Sequence, residues 1–275
     1  MIISASNPRI REARQLSQKR RRVAAGRFLV EGVRLINDAL SSGVRPHEVF
    51  YAPEMVAGHT SAVDLLACLE AAQIACWACT PNVFRTLSET VTPQGIVAVA
   101  PLPVLPLPSC PTLTLLLDQV REPGNAGALL RAAEAAGVDQ VLFAPETVDP
   151  FNDKVVRAGM GVHFRLPLRI MAQWDELQSL IPEASAVYVA DVRAALPYDA
   201  VDWRRPATLV IGGEAAGAGP EARALATPIA IPMQGAVESL NAAIAGAVIL
   251  FETARQRRQG CNGHALGIDI GRACG

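Results

Sequence analysis

The sequence predicts an α/β fold in two parts, a small N-terminal α/β unit and a larger C-terminal domain built on a parallel sheet. Three observations carry this. From Thr112 onward, apolar β-like runs alternate with helix-like stretches, and strands covered on both faces read as such continuous runs. Just upstream, five prolines fall within positions 101–111, in APLPVLPLPSCP. That density excludes helix and central strand and favours a stiff, extended connector. Hydrophobic residues make up 51% of the 275 and charged residues 19%, which suits a sizeable core and not a disordered chain. The expected division is 1–100, a connector over 101–111, a domain over 112–260 and a tail over 261–275.

Taken in order, the N-terminal unit opens on a basic helix over residues 9–21. A strand at 28–30, a helix at 32–40, a strand at 48–51 and a helix near 62–72 follow, then strands at 74–80 and 95–100. Net charge is −1, yet residues 1–50 hold ten Lys/Arg against four Asp/Glu. The run Lys19-Arg20-Arg21-Arg22 reads most simply as a solvated helix end. Arg20, Arg21 and Arg22 are also candidate phosphate contacts, since a local excess matters more than the whole-chain sum.

Cys76-Trp77-Ala78-Cys79 is a C-x-x-C, but it lies in a strand-like stretch, where positions three apart face opposite ways. Without a second ligand pair or a following helix start, free thiols are expected. Four scattered histidines (His47, His59, His163, His264) have no metal-ligand spacing, so no metal is expected. The apolar runs fall short of the ~18 residues that cross a bilayer. The opening MIISASNPRIREARQ lacks a secretory core, so a cytoplasmic protein is the expectation.

In the C-terminal half, β-like runs fall at 112–117, 140–143, 164–170, 186–190, 208–211 and 229–231. Three glycine- and asparagine-bearing turns follow three of them. REPGNAGALLRAAEAAG begins with Asn125 as a candidate N-cap and stops at Gly137. Arg131, six residues after the cap, is placed to pair with Glu134 at i+3, and by itself favours that reading. GGEAAGAGP places Glu214 among glycines at a strand's C-terminal end, where ligands approach open α/β sheets. A tight strand-to-helix connection explains it about as well. IPMQGAVESLNAAIAGAVILFE, residues 231–252, has Gly235 for an unusual backbone and Ser239 to cap a helix apolar almost all round, hence buried. A buried helix start leaves donors that a ligand can satisfy. P-loop, dinucleotide and nucleophile-elbow motifs are absent, which leaves the chemistry to Arg, Glu, Ser, Asn and backbone.

In this order, PGNAGALLRAAEAAG, LVIGGEAAG and the 231–252 stretch resemble the three signature motifs of the SpoU/TrmH RNA ribose methyltransferases, in the SPOUT superfamily. NPRIREARQL, FLVEGVRLINDAL and TPQGIVAVA resemble the small ribosomal-protein-like RNA-binding domain of that family. The resemblance implies a SPOUT fold with a trefoil knot, which pattern reasoning could not supply. It also implies a homodimer with each active site near the subunit interface. The implied activity is S-adenosyl-L-methionine-dependent methylation of a ribose 2′-hydroxyl, in ribosomal RNA first. A transfer-RNA enzyme and a non-catalytic RNA binder of the same fold are the alternatives. Carried over by motif, Gly212, Gly213, Glu214, Gly217, Ile231, Met233 and Leu240 would hold the cofactor. Arg131 would be catalytic, with Asn125, Glu214, Ser239 and Asn241 positioning the reacting groups, and Arg157 would be a further RNA phosphate contact. The chain departs from the family in Ala215-Ala216, where Gly is frequent.

Overall fold

The computed structural model describes residues 1–214, 216–235 and 237–260; the expected tail over 261–275 lies outside the described residues, as does Ala215. The basic N-terminal segment is two helices, α1 (Pro8–Gln15) and α2 (Lys19–Ala25), and not one. The carbonyls at the break, Leu16 and Ser17, accept from the Arg22 guanidinium at 2.8 and 2.6 Å. A continuous helix would have used them internally.

There follow β1 (Arg27–Glu31), α3 (Val33–Ser41), β2 (Glu48–Tyr51), α4 (Pro53–Val56), α5 (Thr60–Ala71), β3 (Ala75–Ala78), α6 (Pro81–Phe84) and β4 (Ile96–Pro101). The strands pair in the order β1-β4-β2-β3, with only β2 and β3 parallel. Alternation along the strands serves both faces. Phe28, Val30 and Val49 meet Ile36 and Leu69 on one side, while Phe50 and Val97 meet Ile10 and Phe84 on the other. The one-turn helices α4 and α6 are too short to leave a periodic signal, and each simply starts on a proline. Cys76 is half-buried and Cys79 buried, both as free thiols, and burial pushes Cys79 up to about 11.

The C-terminal half comprises β5 (Leu113–Asp118), α7 (Pro123–Ala136), β6 (Gln140–Phe143), α8 (Asp153–Gly159), β7 (Leu168–Ile170), α9 (Leu177–Leu180), β8 (Ala186–Ala190), β9 (Ala207–Gly212), α10 (Pro220–Leu225), β10 (Thr227–Ile229) and α11 (Ala242–Gly260). Its six strands are all parallel in the order β10-β8-β9-β5-β6-β7. Strands central to this sheet are buried throughout, as their unbroken apolar runs require. Two expected strands are shorter or shifted. Val162–Phe164 is a 3₁₀ turn, so only Leu168–Ile170 pairs out of 164–170, and β10 shares only Ile229 with the expected 229–231, where Ala230 makes an isolated bridge to Pro197.

The two units share a buried face. Phe28 packs edge-on to Phe151, with ring centroids 5.5 Å apart, and Val156 and Phe164 join the core of the small sheet. Arg22 on α2 meets Asp149 at 2.5 Å, both side chains nearly buried. Among the described residues, no helix is long and apolar enough to cross a membrane.

Candidate functional site

Chain order reverses between neighbouring β5 and β9, so their two loops leave the same sheet edge in different directions. In register, Asp118 at the end of β5 lies beside Gly212 at the end of β9. The first two turns therefore start side by side. The buried Asp118 carboxylate accepts from Gly219 N at 2.6 Å, which ties them together. Burial raises its pKa, and the Gly219 bond works against that rise.

The first turn differs from expectation in its cap. Glu122 is the N-cap of α7, with Pro123 at the first helical position. Its carboxylate accepts from Asn125 N at 2.5 Å, so Asn125 sits inside the first turn with a free side chain. That amide donates from Nδ2 to Glu214 Oε1 at 2.8 Å, and its Oδ1 accepts from Asn241 Nδ2 at 2.9 Å. One side chain thus joins all three turns. Burial raises the Glu214 carboxyl, but donation from Asn125 and from the backbone N–H groups of Arg121 and Glu122 outweighs this and leaves it below its ordinary value.

In the second turn, Gly213 and Gly217 exchange two backbone hydrogen bonds of 3.0 Å each. A side chain at Gly212 is impossible without movement, since its Cβ would lie 2.1 Å from Ala218 N. In the third, Asn241 and not Ser239 caps the long helix, its Oδ1 accepting from Ala243 N and Ile244 N at 2.9 and 3.3 Å. Ser239 is left free to face the crevice. The helix behind it is not buried all round, because Ile244 and Phe251 are 54% and 48% exposed.

Gly212, Gly213, Glu214, Gly217, Ile231, Met233, Ser239 and Leu240 all line one crevice of about 690 Å³. Ile229, Ile231 and Leu240 give it an apolar wall, and backbone and carboxylates give it a polar edge. Asp191, Arg193 and Arg223, which none of the three motifs contains, also line it. Asp191 Oδ2 accepts from Arg223 at 3.1 Å, while Arg223 also donates to Ala218 O at 2.8 Å and so braces the second turn. The available signal was the position of Asp191, directly after β8 at the ligand-bearing edge of the sheet.

Arg131 lies elsewhere. Six residues along α7 from Asn125, it is displaced by about 9 Å of helical rise and turned away from the Asn125 junction. It lines a separate depression with Arg34, Met160, Arg165 and Phe251. Its expected partner Glu134 is instead held by Arg165, at 2.5 and 3.0 Å. Of the candidate RNA contacts, Arg20 and Arg21 are exposed. Arg22 is buried against Asp149 and two carbonyls, so it staples the two units and offers no charge to solvent. Arg157 is engaged by Asp153 at 2.8 Å, with Glu31 at 3.8 Å, so two carboxylates already neutralise it. Among the described residues, no group of three His, Cys, Asp or Glu side chains forms a metal site.

Two family models match this chain: the SpoU rRNA Methylase family over residues 112–251 and the MRM3-like substrate binding domain over residues 7–98. The 23S rRNA (guanosine(2553)-2′-O)-methyltransferase RlmP of Bacillus subtilis is 32% identical over 256 residues, 91% of this chain and 97% of its own. The 23S rRNA (uridine(2479)-2′-O)-methyltransferase of Streptomyces viridochromogenes is 31% identical over 94% of this chain and 93% of its own. Among solved structures, the SpoU methyltransferase AviRb from Streptomyces viridochromogenes, in complex with the cofactor AdoMet, is similar with a TM-score of 0.83 at 28% identity. That match covers 92% of this chain and 98% of AviRb.

Proposed function

The chain belongs to the SpoU rRNA methylase family, and we propose that it transfers the methyl group of S-adenosylmethionine to a ribose 2′-hydroxyl of ribosomal RNA. The observation that carries this reading is the single crevice lined by the second and third turns, which are distant in sequence, with Asn125 of the first turn bonded to both. The backbone of Gly212, Gly213 and Gly217 would hold the polar parts of the cofactor, and Ile231, Met233 and Leu240 its apolar faces. When bound, S-adenosylmethionine supplies an electrophilic methyl group.

The chain's own residues supply orientation and charge. A guanidinium loses its proton only above pH ~12, so Arg131 acts by stabilising the developing 2′-alkoxide and gripping the adjacent phosphate. Asn125, Glu214, Ser239 and Asn241 fix the cofactor edge against which the hydroxyl is aligned, and in-line placement supplies much of the remaining rate.

Arg131 and the crevice do not meet within one chain, and this supports a homodimer in which Arg131 of one copy completes the crevice of the other. Ile244, Val248 and Phe251 follow at i, i+4 and i+7 on α11, an exposed or half-exposed apolar stripe beside Arg131. That Ile231, Met233 and Leu240 line the same crevice as Gly213 and Gly217 supports the trefoil knot. The match to a substrate-binding domain over 7–98 supports ribosomal over transfer RNA, and a division at 1–100, 101–111 and 112–260. A ribosomal substrate in turn supports the cytoplasm as the place of action.

The test is transfer of labelled methyl from S-adenosylmethionine to ribosomal RNA, followed by alkaline hydrolysis. A 2′-O-methyl group blocks cleavage, so label in an alkali-resistant dinucleotide is expected. Label released on a mononucleotide, as a methylated base, would refute the reading.

A further inference from the structure

The depression around Arg131 draws on both halves of the chain. Arg34 comes from the first turn of α3 in the small domain, while Arg131 and Arg165 come from the C-terminal domain. The depression measures about 540 Å³ and is open to solvent. Arg165 is committed to Glu134 by two hydrogen bonds. Arg34 and Arg131 are both exposed, and neither has an ion-pair partner among the described residues. Two unpaired guanidiniums sharing one depression repel each other, and a bound anion relieves that repulsion.

Their relative placement is built in. Gly161 (φ 83) follows α8, and a Cβ there would lie 2.5 Å from Asp38 Oδ2, so α3 seats directly on this turn. At the start of α3, Gln94 Oε1 accepts from Val33 N at 3.0 Å, which fixes the first turn that carries Arg34. The planar fork of an arginine suits phosphate oxygens, and spacing two of them across a domain junction suits a backbone phosphate better than a small free ion.

We propose that Arg34 and Arg131 together form a two-domain site for an RNA backbone phosphate, by which the small domain grips the substrate beside the reacting ribose. This rests on the proposed RNA methyltransferase function. It makes Arg34 a positioning residue, one that holds RNA without touching the transferred methyl.

The test compares the full chain with Arg34→Ala and Arg34→Lys, by fluorescence anisotropy of a labelled ribosomal RNA fragment over graded salt, with steady-state methylation and sedimentation alongside. Arg34→Ala is expected to weaken RNA binding roughly 10-fold. It should also lower the slope of log affinity against log salt by about 0.7–0.9, the value of one lost phosphate contact. KM for RNA should rise with kcat held within about threefold, and Arg34→Lys should restore most of the slope. S-adenosylmethionine affinity and sedimentation should not move. Wild-type affinity and slope in Arg34→Ala would overturn the proposal. So would a change in sedimentation, which would assign Arg34 to the contact with a second copy. An unsubstituted chain that neither binds nor methylates RNA would instead overturn the function reading, and this proposal with it; the two failures are seen in different proteins.

Discussion

Replacing Asn125 by alanine removes the side chain by which the first turn bonds to the second and third, the two that line the crevice. Two hydrogen bonds are lost, 2.8 Å to the Glu214 carboxylate and 2.9 Å from Asn241. A neutral side-chain bond is worth about 1 kcal/mol and one to a carboxylate about 1.5–3 kcal/mol, with partial exposure favouring the low end of each. Glu214 keeps the backbone N–H groups of Arg121 and Glu122, so its turn is loosened and not released. Together the two losses come to about 2 kcal/mol of preorganisation, or roughly 30-fold in cofactor affinity. Isothermal titration of S-adenosylmethionine into wild type and Asn125→Ala measures this. Asn125→Asp should bind still more weakly, because it sets a second carboxylate against Glu214. Dissociation constants within about threefold of wild type for both variants would show that the junction does not organise the crevice.

Arg131→Ala is expected to lose methyl transfer by about 100-fold or more while keeping cofactor affinity within twofold, since Arg131 lies outside the crevice of its own chain; single-turnover transfer and titration separate the two. Gly212→Ala forces a Cβ onto Ala218 N and should lower stability by about 1–3 kcal/mol in urea unfolding, with loss of cofactor binding. His163 is buried, and burial lowers its pKa to about 4 against weaker opposing effects from Pro150 O and Asp149. The unfolded chain therefore takes up the proton first, so this contribution is complete above pH ~6.5 and is lost as pH falls toward about 4, by up to about 3 kcal/mol. Urea unfolding at pH 7 and pH 4.5 should show that loss in wild type and much less of it in His163→Gln. Ile244→Glu with Phe251→Glu should yield a monomer in sedimentation, with transfer lost.

Much of this molecule is legible from local pattern. Strands at 48–51, 140–143 and 186–190 coincide with their apolar runs, because a proline or a polar residue stands within two positions of each end. The crevice residues were reachable through motif spacing, since glycine at 212 and the polar edge of 239–241 are demanded locally. What escaped depends on partners far along the chain. The helix break at Leu16 follows from Arg22, whose partner Asp149 is 127 residues away. Asn125 looks like a cap and is a junction, because Glu122 performs the capping and Asn241 lies 116 residues on. Arg22 looks like a free cation on its own helix, and Arg157 has only Asp153, four residues back, beside it there. Only tertiary packing brings Glu31 and Asp149 against them.

The most direct measurement is a crystal structure of this chain with S-adenosylmethionine. The ligand is expected in the crevice against Gly212, Ile231 and Leu240, its methyl group facing Arg131 of a second copy. Density for the ligand at any other place, with that crevice empty, would contradict that expectation.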